Sequence, residues 1–230
     1  RPLEAARLQA PAGDTLLMRI DETGAPEVSL LVNMTYLRPF QIDLNYGDTM
    51  AMPEDMLREI GALREDTPRL VTDTPGGDTV TQIRLKELRL GVSPLKSPVC
   101  TVLPANEPAR IGLGALRNTQ LTMNYEHGLA RIETREGAAD PAPLHGFGLT
   151  PHRFRDGHWE LAIARNSPAA QAGIQPGDRL IAVNNATLET AGSDFLIRML
   201  AATPGYAVTV TILRAHEQQT LHLMPAPLLE

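Results

Sequence analysis

The chain is poor in the residues that announce several common chemistries. A single cysteine in 230 residues, Cys100, excludes an internal disulfide, and its place in Pro98-Val-Cys-Thr-Val102 suggests a buried thiol in a strand. Aromatic residues make up only 4%, and 21 Lys and Arg stand against 27 Asp and Glu, a net charge of −6. Little is there to stack bases on or to neutralise a phosphate backbone, so no nucleic-acid partner is expected. No apolar run approaches the roughly 18 residues of a membrane-spanning helix, so no membrane span is expected. The six histidines (His127, His145, His152, His158, His216 and His222) show neither metal spacing nor cysteine partners and read as surface or loop positions. With no Gly-rich phosphate loop and no nucleophile elbow, neither a metal nor a cofactor is expected.

What is present is a globular composition, 43% hydrophobic and 21% charged, in a length suited to two ordinary domains. The chain opens on Arg1 with no charged-then-apolar leader, and residues 1–13 read as an N-terminal tether from which a leader or anchor has been removed. A first domain is expected over 14–136, a semi-rigid Pro/Ala linker over 137–143, and a second domain over 144–230.

Arg165 to Asn184 carries the strongest local signals. Ser167 can cap a helix turn with Pro168 at its first position, and Gly173 can end it. Pro176-Gly177-Asp178 then turns the chain into the apolar run Arg179 to Val183, a buried strand. Upstream lies Leu144-His-Gly-Phe-Gly-Leu149. Downstream come a helix pattern over Ser193 to Ala202, Pro204-Gly205 and an alternating strand from Tyr206 to Leu213.

This order resembles a bacterial-type PDZ domain, a small β-barrel with two helices. The resemblance implies a carboxylate-binding loop at Gly146, Phe147, Gly148 and Leu149. It also implies a groove in which a peptide tail adds as an extra strand. Ile197 and Leu200 are the helix residues for the apolar pocket of that groove, with ordinary core as their alternative role.

The first domain reads as short strands at Thr15 to Ile20, Val28 to Met34 and Phe40 to Ile42, then a helix over Met52 to Gly61. Further strands follow at Val80 to Leu85, Leu88 to Leu90, Val99 to Leu103, Gln120 to Tyr125 and Leu129 to Glu133. The class is mainly β. The series is similar to a retropepsin-like lobe, the single-lobe form of the aspartic-protease fold. Phe40-Gln-Ile-Asp43 stands for the strand and catalytic acid, Thr49 for the later hydroxyl, and Ile111-Gly112 for the hydrophobic-Gly segment. Leu44 and Asn45 depart from the family's Thr/Ser and Gly, and Arg110 replaces an apolar residue, so the Asp-Leu-Asn motif is degenerate. Asp48, with no apolar strand leading into it, reads as a solvated loop acid.

Two function classes follow from the resemblances. One is an extracytoplasmic, periplasmic-type binding protein whose PDZ domain captures peptide or protein C-termini while the degenerate lobe dimerises or offers a second contact. The other is a homodimeric aspartic endopeptidase in which Asp43 from each chain, supported by Thr49 and Gly112, activates water against a protein substrate.

Overall fold

A computed structural model of the chain describes residues 15–90, 93–117, 119–134, 144–187, 200 and 205–229. The fold is mainly β, and Cα packing separates two compact units: Arg1–Thr67 with Gln82–Pro141, and Pro68–Thr81 with Ala142–Glu230.

In the first unit, β1 (Thr15–Ile20), β2 (Pro26–Val32) and β3 (Thr35–Ile42) form an antiparallel run. Alternation along β2 buries Val28, Leu30 and Val32 on one face, the period a half-buried strand requires. Asn33 and Met34 both take positive φ, the geometry of a tight hairpin turn between β2 and β3. β4 (Met50–Pro53) is buried throughout and runs parallel to β9 (Val99–Leu103), so it shows no alternation. The helix read over Met52 to Gly61 is accordingly shorter. Met52 and Pro53 belong to β4, and α1 spans Glu54–Glu59, with Glu54 and Asp55 in its first turn and Met56 and Leu57 buried.

β6 (Thr79–Arg84), β7 (Glu87–Leu90) and β8 (Ser93–Lys96) lead into β9. The two-residue strand β10 (Arg110–Ile111) then slots between β3, to which it is parallel, and β4, to which it is antiparallel. A four-residue α2 (Leu113–Leu116) and the hairpin of β11 (Thr119–Asn124) and β12 (Leu129–Thr134) complete the unit, with β12 pairing back onto β1. Phe40, Met50, Met52, Leu57, Ile83, Leu88, Cys100, Ile111 and Ile132 fill its core.

In the second unit, β13 (Leu144–Gly146), paired antiparallel with the final strand β20 (Ala226–Leu229), precedes the antiparallel β14 (Leu149–Arg153) and β15 (Trp159–Ala164). β5 (Arg69–Asp73), from the segment 68–81, pairs with the end of β15. Ser167 caps α3 (Pro168–Gln171) as its sequence indicates, its Oγ accepting the Ala170 N–H at 3.3 Å. β16 (Arg179–Val183), β17 (Ala186–Thr187) and the long hairpin of β18 (Val208–Arg214) and β19 (Glu217–Leu223) follow. Their core contains Phe147, Leu161, Ile163, Ala169, Leu180, Val183, Val210 and Ile212. Asp178, 3% exposed, is satisfied from three sides: Arg214 donates to both its oxygens, at 2.6 and 2.5 Å, and the Gln175 N–H donates at 2.8 Å. The hydrogen bonds to Asp178, together with its charge, keep the Arg214 guanidinium above its ordinary pKa. Among the described residues no helix is long and apolar enough to cross a membrane.

Candidate functional site

Asp43 directly follows β3, and its surroundings are fixed by the way β10 lies against that strand. The Asp43 N–H donates to the Ile111 carbonyl at 3.0 Å, and one carboxylate oxygen accepts the Asn45 N–H at 2.9 Å. The loop 43–49 then closes on the turn after β10. The N–H groups of Gly112, Leu113 and Gly114 donate to the carbonyls of Thr49, Tyr46 and Asp48 at 3.0, 2.8 and 3.0 Å. Gly112 is required by this approach, since a Cβ there would lie 2.3 Å from the Tyr46 carbonyl oxygen. Thr49 thus touches the Gly112 segment through its backbone.

The departures from an aspartic-protease motif have visible consequences. Leu44 is exposed, and Asn45 uses its N–H on the acid. Arg110 brings a guanidinium to 3.9 Å from the second Asp43 oxygen while binding Glu107 at 2.7 Å and lying over the Tyr46 ring. The acid therefore has a cation and an N–H donor of its own chain as partners. Tyr46, whose hydroxyl donates to the Thr101 Oγ1 at 2.9 Å, is pushed up to about 12 by burial.

The second candidate site begins where β13 leaves β20. Phe147 is 3% exposed and anchors the loop in the core, and its carbonyl accepts the Ala169 N–H of α3 at 2.9 Å. Gly148 adopts φ +73°, and its carbonyl accepts the Ala164 N–H at 2.8 Å. A Cβ at Gly148 would lie 2.0 Å from the Ser167 Cβ, so only glycine lets the loop pass over the capped start of α3. Among the described residues, the N–H groups of Phe147 and Gly148 have no hydrogen-bond acceptor. Leu149 then opens β14, which pairs with β15 from Leu149↔Ile163 to Arg153↔Trp159 and, among the described residues, with no other strand. Among the described residues, the site thus combines two consecutive backbone donors that have no acceptor with a strand edge that has no partner, a combination that can bind a carboxylate and extend it as a strand.

Residues 161–214 match the family described as PDZ domain. The second unit carries a PDZ domain. Over 147 residues, 61% of this chain and 30% of the relative, the sequence is 30% identical to the periplasmic pH-dependent serine endoprotease DegQ of Escherichia coli. Over 63 residues, 27% of this chain and 16% of the relative, it is 38% identical to an Agrobacterium fabrum protein designated a candidate zinc metalloprotease. The chain spans less than a third of the length of the curated relatives it matches. Among solved structures it is similar to a retropepsin-like aspartic protease from Rickettsia conorii, with 14% identity and a TM-score of 0.41, covering 53% of this chain and 90% of that one.

Of the residues singled out in the sequence, Gly146 ends β13 and Leu149 opens β14, with Phe147 and Gly148 between them, and Leu200 packs against the second unit's core. Ile197 lies outside the described residues, as does most of the Ser193 to Ala202 segment. In the first unit, Asp43, Thr49 and Gly112 come together. The Arg110 contact to Asp43 was not legible, because the pairing of β10 with β3 creates it. His158, read as a surface or loop histidine, is bonded between Asp156 and Glu160 and stacked on Phe154.

Proposed function

We propose that this chain is a peptide-binding protein whose PDZ domain captures the C-terminal tail of a peptide or protein. The tail's carboxylate takes the N–H groups of Phe147 and Gly148, its backbone adds to the edge of β14, and its last side chain enters an apolar pocket beside Leu200; Ile197, read with Leu200 in the sequence, lies outside the described residues. The N–H groups of Phe147 and Gly148, which have no acceptor among the described residues, carry the reading beside that edge. The first unit, a retropepsin-like lobe with the degenerate Asp43-Leu44-Asn45 motif, supplies dimerisation or a second protein contact. A periplasmic or otherwise extracytoplasmic setting accords with the DegQ relative, which is named as periplasmic. Calorimetry with matched peptides ending in a free carboxylate or in an amide tests the reading. Only the free acids should bind, and equal binding of both, or of neither, overturns it. The amide is a cleaner probe than substitution of Gly148, where any Cβ deforms the loop.

A second reading, an active homodimeric aspartic endopeptidase, draws on one observation: Asp43, directly after β3, is hydrogen-bonded to the segment that holds Gly112. Two such acids sharing one proton would activate water at mildly acid pH, and raising the pH would remove that proton. The ion pair with Arg110 weighs against it. Endopeptidase activity that peaks at acid pH and vanishes in Asp43→Asn would put this reading first.

A further inference from the structure

The segment 68–81 is joined at both ends to the first unit's chain, after Thr67 and before Gln82, yet it packs as part of the second unit. Its turn is closed by the Thr74 N–H donating to the Asp78 carbonyl at 2.9 Å. Its strand β5 lies antiparallel to the last residues of β15, with Asp73 opposite Ile163 and Thr72 opposite Ala164. The Arg165 N–H donates to the Val71 carbonyl at 2.7 Å. The Arg165 guanidinium grips Asp73 with two bonds of 2.8 Å, and the Thr79 hydroxyl donates to the same carboxylate at 3.2 Å.

Residues 163–165 are held from the other side as well. Ile163 pairs with Leu149, and the Ala164 N–H donates to the carbonyl of Gly148. One short stretch of backbone therefore has the 68–81 hairpin on one edge and the Gly146–Leu149 loop on the other. We infer that the hairpin is a docking arm that sets the carboxylate-binding loop, with Asp73 and Arg165 as positioning residues.

A docked arm fixes Ala164 and through it the Gly148 carbonyl. A tail that orders the loop must in turn tighten the arm, because coupling between two binding events is reciprocal. Since the arm is covalently continuous with the first unit's chain, occupancy of the peptide site is felt at residues 68 and 81. The guanidinium of Arg165 holds the Asp73 carboxyl below its ordinary pKa, and Asp73 raises Arg165 in return, as a paired clasp requires. The arm's effect on tail affinity rests on the peptide-binding proposal, whereas its hold on the loop does not.

Hydrogen exchange on the full chain separates the two. In Asp73→Asn and Arg165→Ala, exchange should quicken about two- to five-fold both in β5 and at the Ala164 N–H. The reversed pair Asp73→Arg with Arg165→Asp should restore protection at both places. Exchange at Val210, in the core, identifies a variant that has unfolded globally, and the reversed pair then decides. A ten-residue peptide ending in valine with a free carboxylate should bind the single variants more weakly by a similar factor and should slow exchange of β5 in the wild-type chain. Faster exchange in β5 with Ala164 unchanged would overturn the inference, as would single variants that bind the peptide as tightly as the wild type. If the wild-type chain binds no such peptide, the peptide-binding proposal fails while exchange at Ala164 still judges the arm.

Discussion

The backbone at Gly112 runs so close to Tyr46 that a Cβ on the glycine would lie 2.3 Å from the Tyr46 carbonyl oxygen and 2.4 Å from that of Asp48. Both obstacles are backbone, held by the hydrogen bonds that tie 112–114 to the 43–49 loop, so neither can swing aside. Gly112→Ala should therefore destabilise the first unit by roughly 3 kcal/mol, the upper end of overpacking costs. Gly47, in the same loop, has nothing within 4 Å of the point where a Cβ would stand and needs no positive φ. Gly47→Ala should change stability by less than about 0.5 kcal/mol. Denaturant unfolding of the two variants makes the comparison, and equal midpoints would show that the loop and the β10 turn are not packed as described.

Asp178 offers the corresponding test in the PDZ domain. Removing its carboxylate strands Arg214 and frees the turn that Gln175 closes, so Asp178→Ala should cost roughly 3 kcal/mol. The exposed Glu54–Arg58 pair on α1 is the contrast, and Arg58→Ala should cost about 0.4 kcal/mol. The chain's one tryptophan, Trp159, lies in β15. Its fluorescence follows the second unit, so only the Asp178 variant should shift that transition.

Local chemistry made the segment from Ser167 to Val183 legible, because the cap, the helix end and the Pro-Gly-Asp turn are each decided within a few residues. β4 was not legible: Met50 to Pro53 is buried on every side, so it lacks alternation, and Pro53 before two acids looks like a helix start. β5 (Arg69–Asp73), with the turn residues Pro75-Gly-Gly77 after it, is missing from the strands read in the sequence. Its partner strand could not be read, since the ion pair that fastens it joins residues 92 positions apart. The same holds at the Asp43 site. The acid and its strand are visible in the sequence, but the Arg110 guanidinium arrives only through the parallel pairing of β10 with β3.

Cys100 is fully buried beside β4, and burial raises its thiol well above the ordinary range. A thiol that is neither ionised nor reachable should not react with a thiolate-directed disulfide reagent in the native chain at pH 8. One equivalent per chain should react once guanidinium has unfolded the first unit. Rapid native labelling would mean that the β4–β9 layer opens far more readily than its packing implies.

Tyr46 ties the first unit's stability to alkaline pH. Its hydroxyl is half-buried and bonded to Thr101, and burial raises its pKa from 10 to about 12. In the folded chain the phenol therefore keeps its proton over a range in which the unfolded chain has already lost it. With more protons on the folded state, the stability of folding falls as pH rises. The contribution should be complete below pH 10 and should be lost progressively between about 10 and 12, as pH climbs to the folded pKa. Difference absorbance of the phenolate should show a late titration step, and Tyr46→Phe should remove it. The same variant should flatten the fall of the denaturation midpoint over pH 10 to 12, at the cost of the Thr101 hydrogen bond at neutral pH. A wild-type chain with no phenolate step that Tyr46→Phe removes would show that the Tyr46 hydroxyl is open to solvent and that the 43–49 loop does not close over it.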